Sequence, residues 1–287
     1  MQYLYLGMNR KRLVFRTLYG AGLLILGLIL YGILIEPNKV ETHHVWMQDR
    51  NLAKLFNGRV IVQLTDLHID TIGERERKVL EILDKLKPDI IFLTGDYVAW
   101  NGDYEPALKF LSKMHAKIGI WAVMGDYDYS NSRKSCLFCH EQGTGNPTLR
   151  HSVRFLRDSL EVLNLPEGSV GIAGTDIEDQ ISANSKVWSE LKHNDIPAIV
   201  LSHSPLAFDV ISDNQNLLML AGDTHGGQVP VPAWVFSVMG YKKNAMYSQG
   251  LFERRGNRMF VSRGIGTSHI PVRLFRQPEV VVLHFVP

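Results

Sequence analysis

Cysteine is almost missing: two residues in 287, Cys136 and Cys139, both in one short stretch. A chain this long with so few thiols does not owe its fold to a disulfide framework. Net charge is also nearly missing, with 31 Lys and Arg against 29 Asp and Glu and a formal value of +2. The balance is nearly neutral, so nothing global points to nucleic acid. Internal repeats and low-complexity tracts are lacking too, which excludes solenoids and similar arrays. What remains, 45% hydrophobic and 21% charged residues, suits a globular core in one large domain or two small ones.

Charge vanishes altogether from Thr17 to Ile35. As a helix this stretch covers about 28 Å, close to the roughly 30 Å hydrocarbon core of a bilayer. It is apolar all round, unlike the one-sided stripe of a helix in a soluble domain. A cleaved signal peptide is the main rival, but the run is long for a signal core and no small-x-small site follows it. Arg10, Lys11, Arg12 and Arg16 precede the stretch, whereas Glu36, Asn38, Lys39 and Glu41 follow it. The charge bias then makes residues 1–16 a basic cytoplasmic N-terminus and 17–35 a single-pass anchor. The remainder is expected outside, periplasmic or extracellular. Residues 36–57 read as a juxtamembrane connector in which Pro37 stops the helix and His43 and His44 are surface residues. The folded domain is expected from 58 to 287.

From Gly58 onward, apolar runs alternate with helical stripes, the pattern of an α/β domain. Helices are expected near Glu74–Leu86, Glu105–His115, Arg150–Ser159 and Ala183–Lys192. Short strands are expected near Val162–Leu165 and Val170–Gly174, and antiparallel strands at Tyr247–Phe252, Arg258–Ser262 and Val280–Phe285. Five other strands end in ligand-type residues. Arg59–Thr65 runs into Asp66-Leu67-His68, and Asp89–Thr94 into Gly95-Asp96. Ile118–Met124 runs into Gly125-Asp126-Tyr127-Asp128, and Pro197–Leu201 into Ser202-His203-Ser204. Asn216–Ala221 runs into Gly222-Asp223-Thr224-His225-Gly226-Gly227-Gln228. An Asp after one strand is usually a cap or turn former, and a lone His is usually structural. Asp66, His68, Asp96, Asp126, His203, Asp223 and His225 together are another matter, because open α/β sheets gather their sites at this edge. Carboxylates crowded there repel strongly at low dielectric, and divalent cations remove the cost. Mixed oxygen and nitrogen donors suit Mn, Fe, Zn or Mg.

In order and spacing, these segments resemble the motifs D-x-H, G-D, G-N-H-D/E, H and G-H-x-H of the calcineurin-like metallophosphoesterase superfamily. The resemblance runs from about Arg59 to the C-terminus. Gly226-Gly227-Gln228 and the tail from Ser262 through His269 to Arg273 resemble a membrane-associated bacterial branch that includes UDP-2,3-diacylglucosamine pyrophosphatases. The resemblance implies a sandwich of two β-sheets flanked by helices and a pair of divalent metal ions. It also implies hydrolysis of a phosphoester or pyrophosphate, on a lipid-linked or nucleotide-sugar substrate such as UDP-2,3-diacylglucosamine, by in-line attack of a metal-bridging hydroxide. One ion would be held by Asp66, His68, Asp96 and His225. The other would be held by Asp126, His203 and Asp223, with Asp96 bridging both. The implied partners are the bilayer, through the N-terminal helix, and a phosphorylated small molecule or lipid.

Three positions depart from the pattern. Asp126 and Asp223 replace the Asn of the third motif and the first His of the fifth, and Tyr127 replaces the His that assists at the transition state. Both altered ligand positions are carboxylates, so the second site reads as retained but shifted towards harder ions such as Mn²⁺ or Mg²⁺. Tyr127, with a side-chain pKa of about 10, is a poor proton shuttle at neutral pH. Slow turnover, or substrates with good leaving groups, is the expectation. Arg263, beside Gly264 and Gly266, is a candidate for a substrate phosphate. Trp234, Phe236, Val238, Met239 and Tyr241 fit a cleft cover, a lipid contact or core packing. Cys136-Leu137-Phe138-Cys139-His140, in a loop insert at about 130–149, has the C-x-x-C-H spacing of covalent haem attachment. A short disulfide, a small zinc site and bare thiols fit it as well. The alternative to an enzyme is a non-catalytic metal-binding or haem-carrying envelope module.

Overall fold

The computed structural model describes residues 2–99, 103–128, 150–176, 186–192, 196–212, 215–238, 240 and 245–287. Cys136, Cys139 and His140, with the haem, disulfide and zinc expectations attached to them, lie outside the described residues, as do Met239 and Tyr241. Three short strands form the spine of the first sheet: β2 (Ile61–Leu64), β3 (Ile90–Thr94) and β4 (Gly119–Val123). They are apolar almost without interruption because both of their faces are covered. Alternate side chains serve opposite cores. Ile61, Ile90, Phe92, Trp121 and Val123 point between the two sheets, where they meet Ile172, Ile199, Leu218 and Leu220. Val62, Leu64, Ile91, Leu93 and Ile120 face outward onto helices.

Those helices are α3 (Glu74–Leu86) and α4 (Tyr104–Leu111); α1 is Gln2–Leu34 and α2 is Arg50–Leu55. The stripe Val79, Ile82 and Leu83 buries α3 against the sheet. Its start is fixed by the Glu76 carboxylate, which accepts the Gly73 N–H at 2.8 Å. Its end is fixed by left-handed Lys87 before Pro88.

Among the described residues there are two six-stranded sheets. The remaining strands are β1 (Glu41–Gln48), β5 (Val153–Phe155), β6 (Ser159–Leu165), β7 (Gly168–Gly174), β8 (Ala198–Leu201), β9 (Leu218–Ala221), β10 (Gly250–Arg254), β11 (Asn257–Val261) and β12 (Glu279–Val286). The first sheet has the order β1-β12-β2-β3-β4-β5 and the second β10-β11-β9-β8-β7-β6. In the first, β2 to β5 run parallel, and in the second β7, β8, β9 and β11 do. On the outer face of the second sheet lies α5 (Lys186–Lys192), through Trp188 and Leu191. The expected two-sheet sandwich is therefore the observed fold.

Two local expectations are corrected. The segment near Arg150–Ser159 is not a helix: it holds β5, a loop and the start of β6. The open edge of β4 takes it up, with the Leu156 N–H donating to the Ala122 carbonyl at 2.8 Å, and left-handed Asp158 turns the chain into β6. Residues 36–57 are also more than a juxtamembrane connector. β1 pairs with β12 in parallel along its whole length, from Glu41 opposite Glu279 to Gln48 opposite Val286. His43 joins the Glu279 carboxylate at 2.8 Å, and His44 meets His284 at 2.8 Å. α1, which contains both the basic N-terminal residues and the apolar stretch, leads through a short 3-10 turn at Glu36–Asn38 into the sheet.

Candidate metal centre

The parallel strands end at one edge, and the chain turns sharply there. Asp66, His68, Asp96, Asp223 and His225 all have left-handed backbones, with φ of 50°, 43°, 57°, 74° and 52°. Residues with a Cβ rarely take this conformation unless their surroundings impose it. Here the strand ends hold one another. The Asp66 N–H donates to the Gly95 carbonyl at 2.9 Å, and the His68 N–H to the Asp96 carbonyl at 3.0 Å. The Asp223 N–H reaches both carboxylate oxygens of Asp66 at 3.1 Å, which joins the second sheet to the first. The glycines that precede the ligands are required by close approach. A Cβ on Gly125 would sit 2.0 Å from Asp96 Oδ1, and one on Gly222 would sit 2.0 Å from Thr65 Oγ1.

Two overlapping groups result. Asp66, His68 and His225 offer ligand atoms within 4.8 Å of one another, and so do Asp66, Asp96 and His203; every member is buried. His68 Nε2 and His225 Nε2 face each other at 3.1 Å. Asp96 Oδ2 lies 3.5 Å from both His68 Nε2 and His203 Nε2. Asp126 is exposed and Asp223 half-buried, and both charges act on His203. Five of the seven residues singled out from the sequence thus lie within the two buried groups; Asp223 adjoins Asp66 through its N–H, and Asp126 is exposed.

Two of the three imidazoles are held from behind. His203 Nδ1 donates to the Thr94 carbonyl at 2.9 Å, which turns Nε2 towards the carboxylates. His225 is backed by the Gly266 carbonyl and by Arg273, whose guanidinium lies 3.4 Å from Nδ1. Arg273 is 0% exposed. It donates to the Gly266, Arg276 and Arg263 carbonyls at 2.6–2.9 Å, and burial brings its pKa down to about 9.

Charge is badly balanced in the cluster. Burial pushes Asp66 up to about 7, with the Asp223 charge adding to it. Asp96 rises well above the carboxylate range, from burial first and then from Asp128 and Asp66. Burial and the His203 charge bring His68 down to about 3, and burial takes His225 well below the usual imidazole value. His203 moves the other way: burial opposes its charge, but Asp96, Asp223, Asp66 and Asp126 outweigh it and raise it to about 10. One imidazolium faces several carboxylates. Neutral imidazole nitrogens and carboxylate oxygens around a shared point are the donor set of borderline and hard divalent cations, and these residues fit such ions.

The fourth residue of the third motif holds the geometry together. The Asp128 carboxylate, 1% exposed, accepts N–H groups from Asp96 (2.7 Å), Tyr97 (2.6 Å), Gly125 (2.8 Å) and Val98 (3.3 Å). Asp128→Asn would turn an amide NH₂ towards these donors and leave at least one unpaired, at about 1–3 kcal/mol each. A fall in Tm of about 4–10 °C is expected in a thermal scan; an unchanged Tm would show that the carboxylate is not holding the two motifs together.

Tyr127 lies against the cluster. Its N–H donates to Asp96 Oδ1 at 3.0 Å, and its ring meets His68 edge-on at 4.7 Å. Its hydroxyl is 3.3 Å from His269 Nε2. Sequence reasoning did not single out His269, Arg273 or Asp128 as site residues. The available signal was the pair Gly264 and Gly266, which lets the tail lie on the first motif. A Cβ at Gly264 would fall 2.7 Å from Asp66 Cβ, and one at Gly266 would fall 2.5 Å from the Leu67 carbonyl. Arg263, the candidate for substrate phosphate, is committed elsewhere: its guanidinium pairs with Glu279 at 2.8 Å and with Glu41 at 2.5 Å. It ties the tail to β1 and β12.

Comparison with known proteins agrees with this geometry. The model of the family described as calcineurin-like phosphoesterase matches residues 59–227. The chain is 26% identical to the metallophosphoesterase YkuE of Bacillus subtilis over 260 residues, covering 88% of this chain and 87% of that protein. It is 26% identical to the UDP-2,3-diacylglucosamine pyrophosphatase LpxG of Chlamydia trachomatis over 300 residues, covering 87% and 90%. To the phosphodiesterase YaeI of Escherichia coli it is 28% identical over 203 residues, covering 70% and 71%. With its ordered strand-end ligands, its two-sheet fold and the span of the match, this chain belongs to the calcineurin-like phosphoesterase family.

Proposed function

We propose that the protein is a dinuclear metal-dependent hydrolase of phosphoester or pyrophosphate bonds that acts at a membrane surface on a lipid-linked or nucleotide-sugar substrate. The observation that carries this reading is the meeting of Asp66, His68, Asp96, His203 and His225 in two groups sharing Asp66. The pyrophosphatase activity in the name of the Chlamydia relative supports the substrate class. The helix Arg12–Asn38, long and apolar enough to cross a bilayer, supports the location. Basic residues before it and acidic ones after it favour a domain outside the cytoplasm.

In this reading one ion would be held by Asp66, His68, Asp96 and His225, and a second by Asp96, Asp126, His203 and Asp223. Divalent cations there would supply Lewis acidity towards phosphoryl oxygens and acidify water. The chain's own residues do the rest. Asp128 holds the Asp96 backbone in place. Arg273 and the Gly266 carbonyl hold His225 from behind, with Nε2 turned inward. The Tyr127 hydroxyl gives a proton to the leaving oxygen, and His269 Nε2, 3.3 Å away, restores it.

The test uses the full chain in vesicles, stripped with a chelator and assayed on bis-p-nitrophenyl phosphate. Hydrolysis is expected only after Mn²⁺ or another divalent ion is returned. A protein that takes up metal but cleaves neither this diester nor a nucleotide-sugar pyrophosphate would be a binding module, and the hydrolase reading would fall.

A further inference from the structure

The anchor helix is not strung loosely from the domain. Near its end the Gly32 carbonyl accepts the Arg273 N–H at 2.9 Å. A Cβ on Gly32 would lie 3.0 Å from both the Arg273 carbonyl and Val272 Cγ2. Glu36, 1% exposed, accepts the Arg276 N–H at 2.5 Å. Arg276 donates onward to the Gly226 carbonyl at 2.9 Å, and Arg273 backs His225. Two arginines therefore link the point where the apolar helix leaves the domain to the wall of the metal centre.

Large apolar side chains are exposed around that junction. On the tail, Ile270 and Phe275 are each 62% exposed; on the helix α6 (Ala233–Val238), Trp234 is 68% and Val238 80% exposed. The two segments belong together. Gln228 Nε2 donates to the Ile270 carbonyl at 3.2 Å, and the Leu274 N–H donates to the Gln228 carbonyl at 2.8 Å. The Phe236 ring packs on Gly227, next to the fifth motif. Leu34 and Ile35, at the end of the anchor, are exposed as well.

We infer that Trp234, Val238, Ile270 and Phe275 form a rim that enters the leaflet from which α1 emerges, so that the metal centre opens at the lipid–water interface. The inference rests on the reading of α1 as a membrane anchor. The occupant is a bilayer because the chain's own apolar helix is bonded to the tail that carries half of the rim. Tryptophan at such a junction suits the headgroup layer, where its ring is half wet. A rim of this kind lies in the interface plane without crossing it. It favours substrates whose phosphate sits at the bilayer surface while their chains stay in the leaflet.

The experiment places the full chain in phosphatidylcholine vesicles with plain or brominated acyl chains and reads tryptophan emission, together with retention in the pellet after alkaline carbonate. The wild type is expected to be quenched by brominated lipid, and Trp234→Phe to lose most of that quenching, with both proteins retained in the pellet. Equal quenching in the two proteins, or none in the wild type, with the chain still in the pellet would overturn the rim and leave the anchor standing. Release of the wild type by carbonate would overturn the anchor, and the rim with it.

Discussion

Replacing Asp96 with asparagine is expected to lower kcat/KM on bis-p-nitrophenyl phosphate by about 10³–10⁴-fold, with loss of bound metal. The reasoning starts from position. Asp96 Oδ2 is 3.5 Å from both His68 Nε2 and His203 Nε2, one histidine from each group. Asparagine keeps the shape, and the Asp96 N–H stays bonded to Asp128, so the fold survives and the charge alone is lost. Metal-ion catalysis contributes several kcal/mol of transition-state stabilisation, and each ~1.36 kcal/mol is tenfold in rate. Elemental analysis beside steady-state kinetics checks both halves. Full metal content with a rate within about tenfold of wild type would remove Asp96 from the chemistry.

The second large effect concerns the pair that stands where the family pattern has a histidine. Tyr127→Phe and His269→Ala are each expected to lower kcat by about 10²-fold on substrates with poor leaving groups, the low end for general acid catalysis. Aryl diesters, which need little help with the leaving oxygen, should suffer far less. In the proposed proton path the two side chains act in series, so the double variant should be no slower than the worse single one, a non-additivity that independent packing defects do not give. Tyr127→His restores the motif residue and should accelerate the poor substrates. Rates indifferent to all four variants across leaving groups would put position 127 and its partner outside the reaction.

The parts of this site that could be read from the sequence are those in which ligand and geometry are neighbours along the chain. A ligand at a strand end needs an apolar run before it and often a glycine beside it, so Gly95-Asp96, Gly125-Asp126 and Gly222-Asp223 announce themselves. α3 falls on the expected boundaries and β3 within one residue of them, because a helical stripe with defined ends and a short apolar run between Asp and Gly are local signals. β1 was hidden because its partner lies at the other end of the chain, and its alternation of buried and exposed residues begins only at Val45. The stretch around Val153 misled because a short edge strand with two apolar residues also fits a helical turn. His269, Arg273 and Asp128 owe their roles to contacts between distant segments, which no spacing rule reports. Arg263 stood in a glycine-rich tail that does reach the site, but its charge was already matched by Glu41 and Glu279, and neither carboxylate is near it in sequence.

With α1 as the proposed membrane anchor, the continuity from α1 into β1 has a mechanical consequence. A catalytic unit on a floppy leash samples a hemisphere above the bilayer and turns its cleft in every direction. One whose first strand grows out of the membrane segment, and whose Gly32 and Glu36 are clamped to the active-site tail, keeps a fixed height and tilt. Such an enzyme works in two dimensions: its rate follows how densely substrate is packed in the surface rather than how much is dissolved around it. Lengthening the stretch between Ile35 and Glu41 would then slow it on vesicles while leaving its action on small soluble esters untouched.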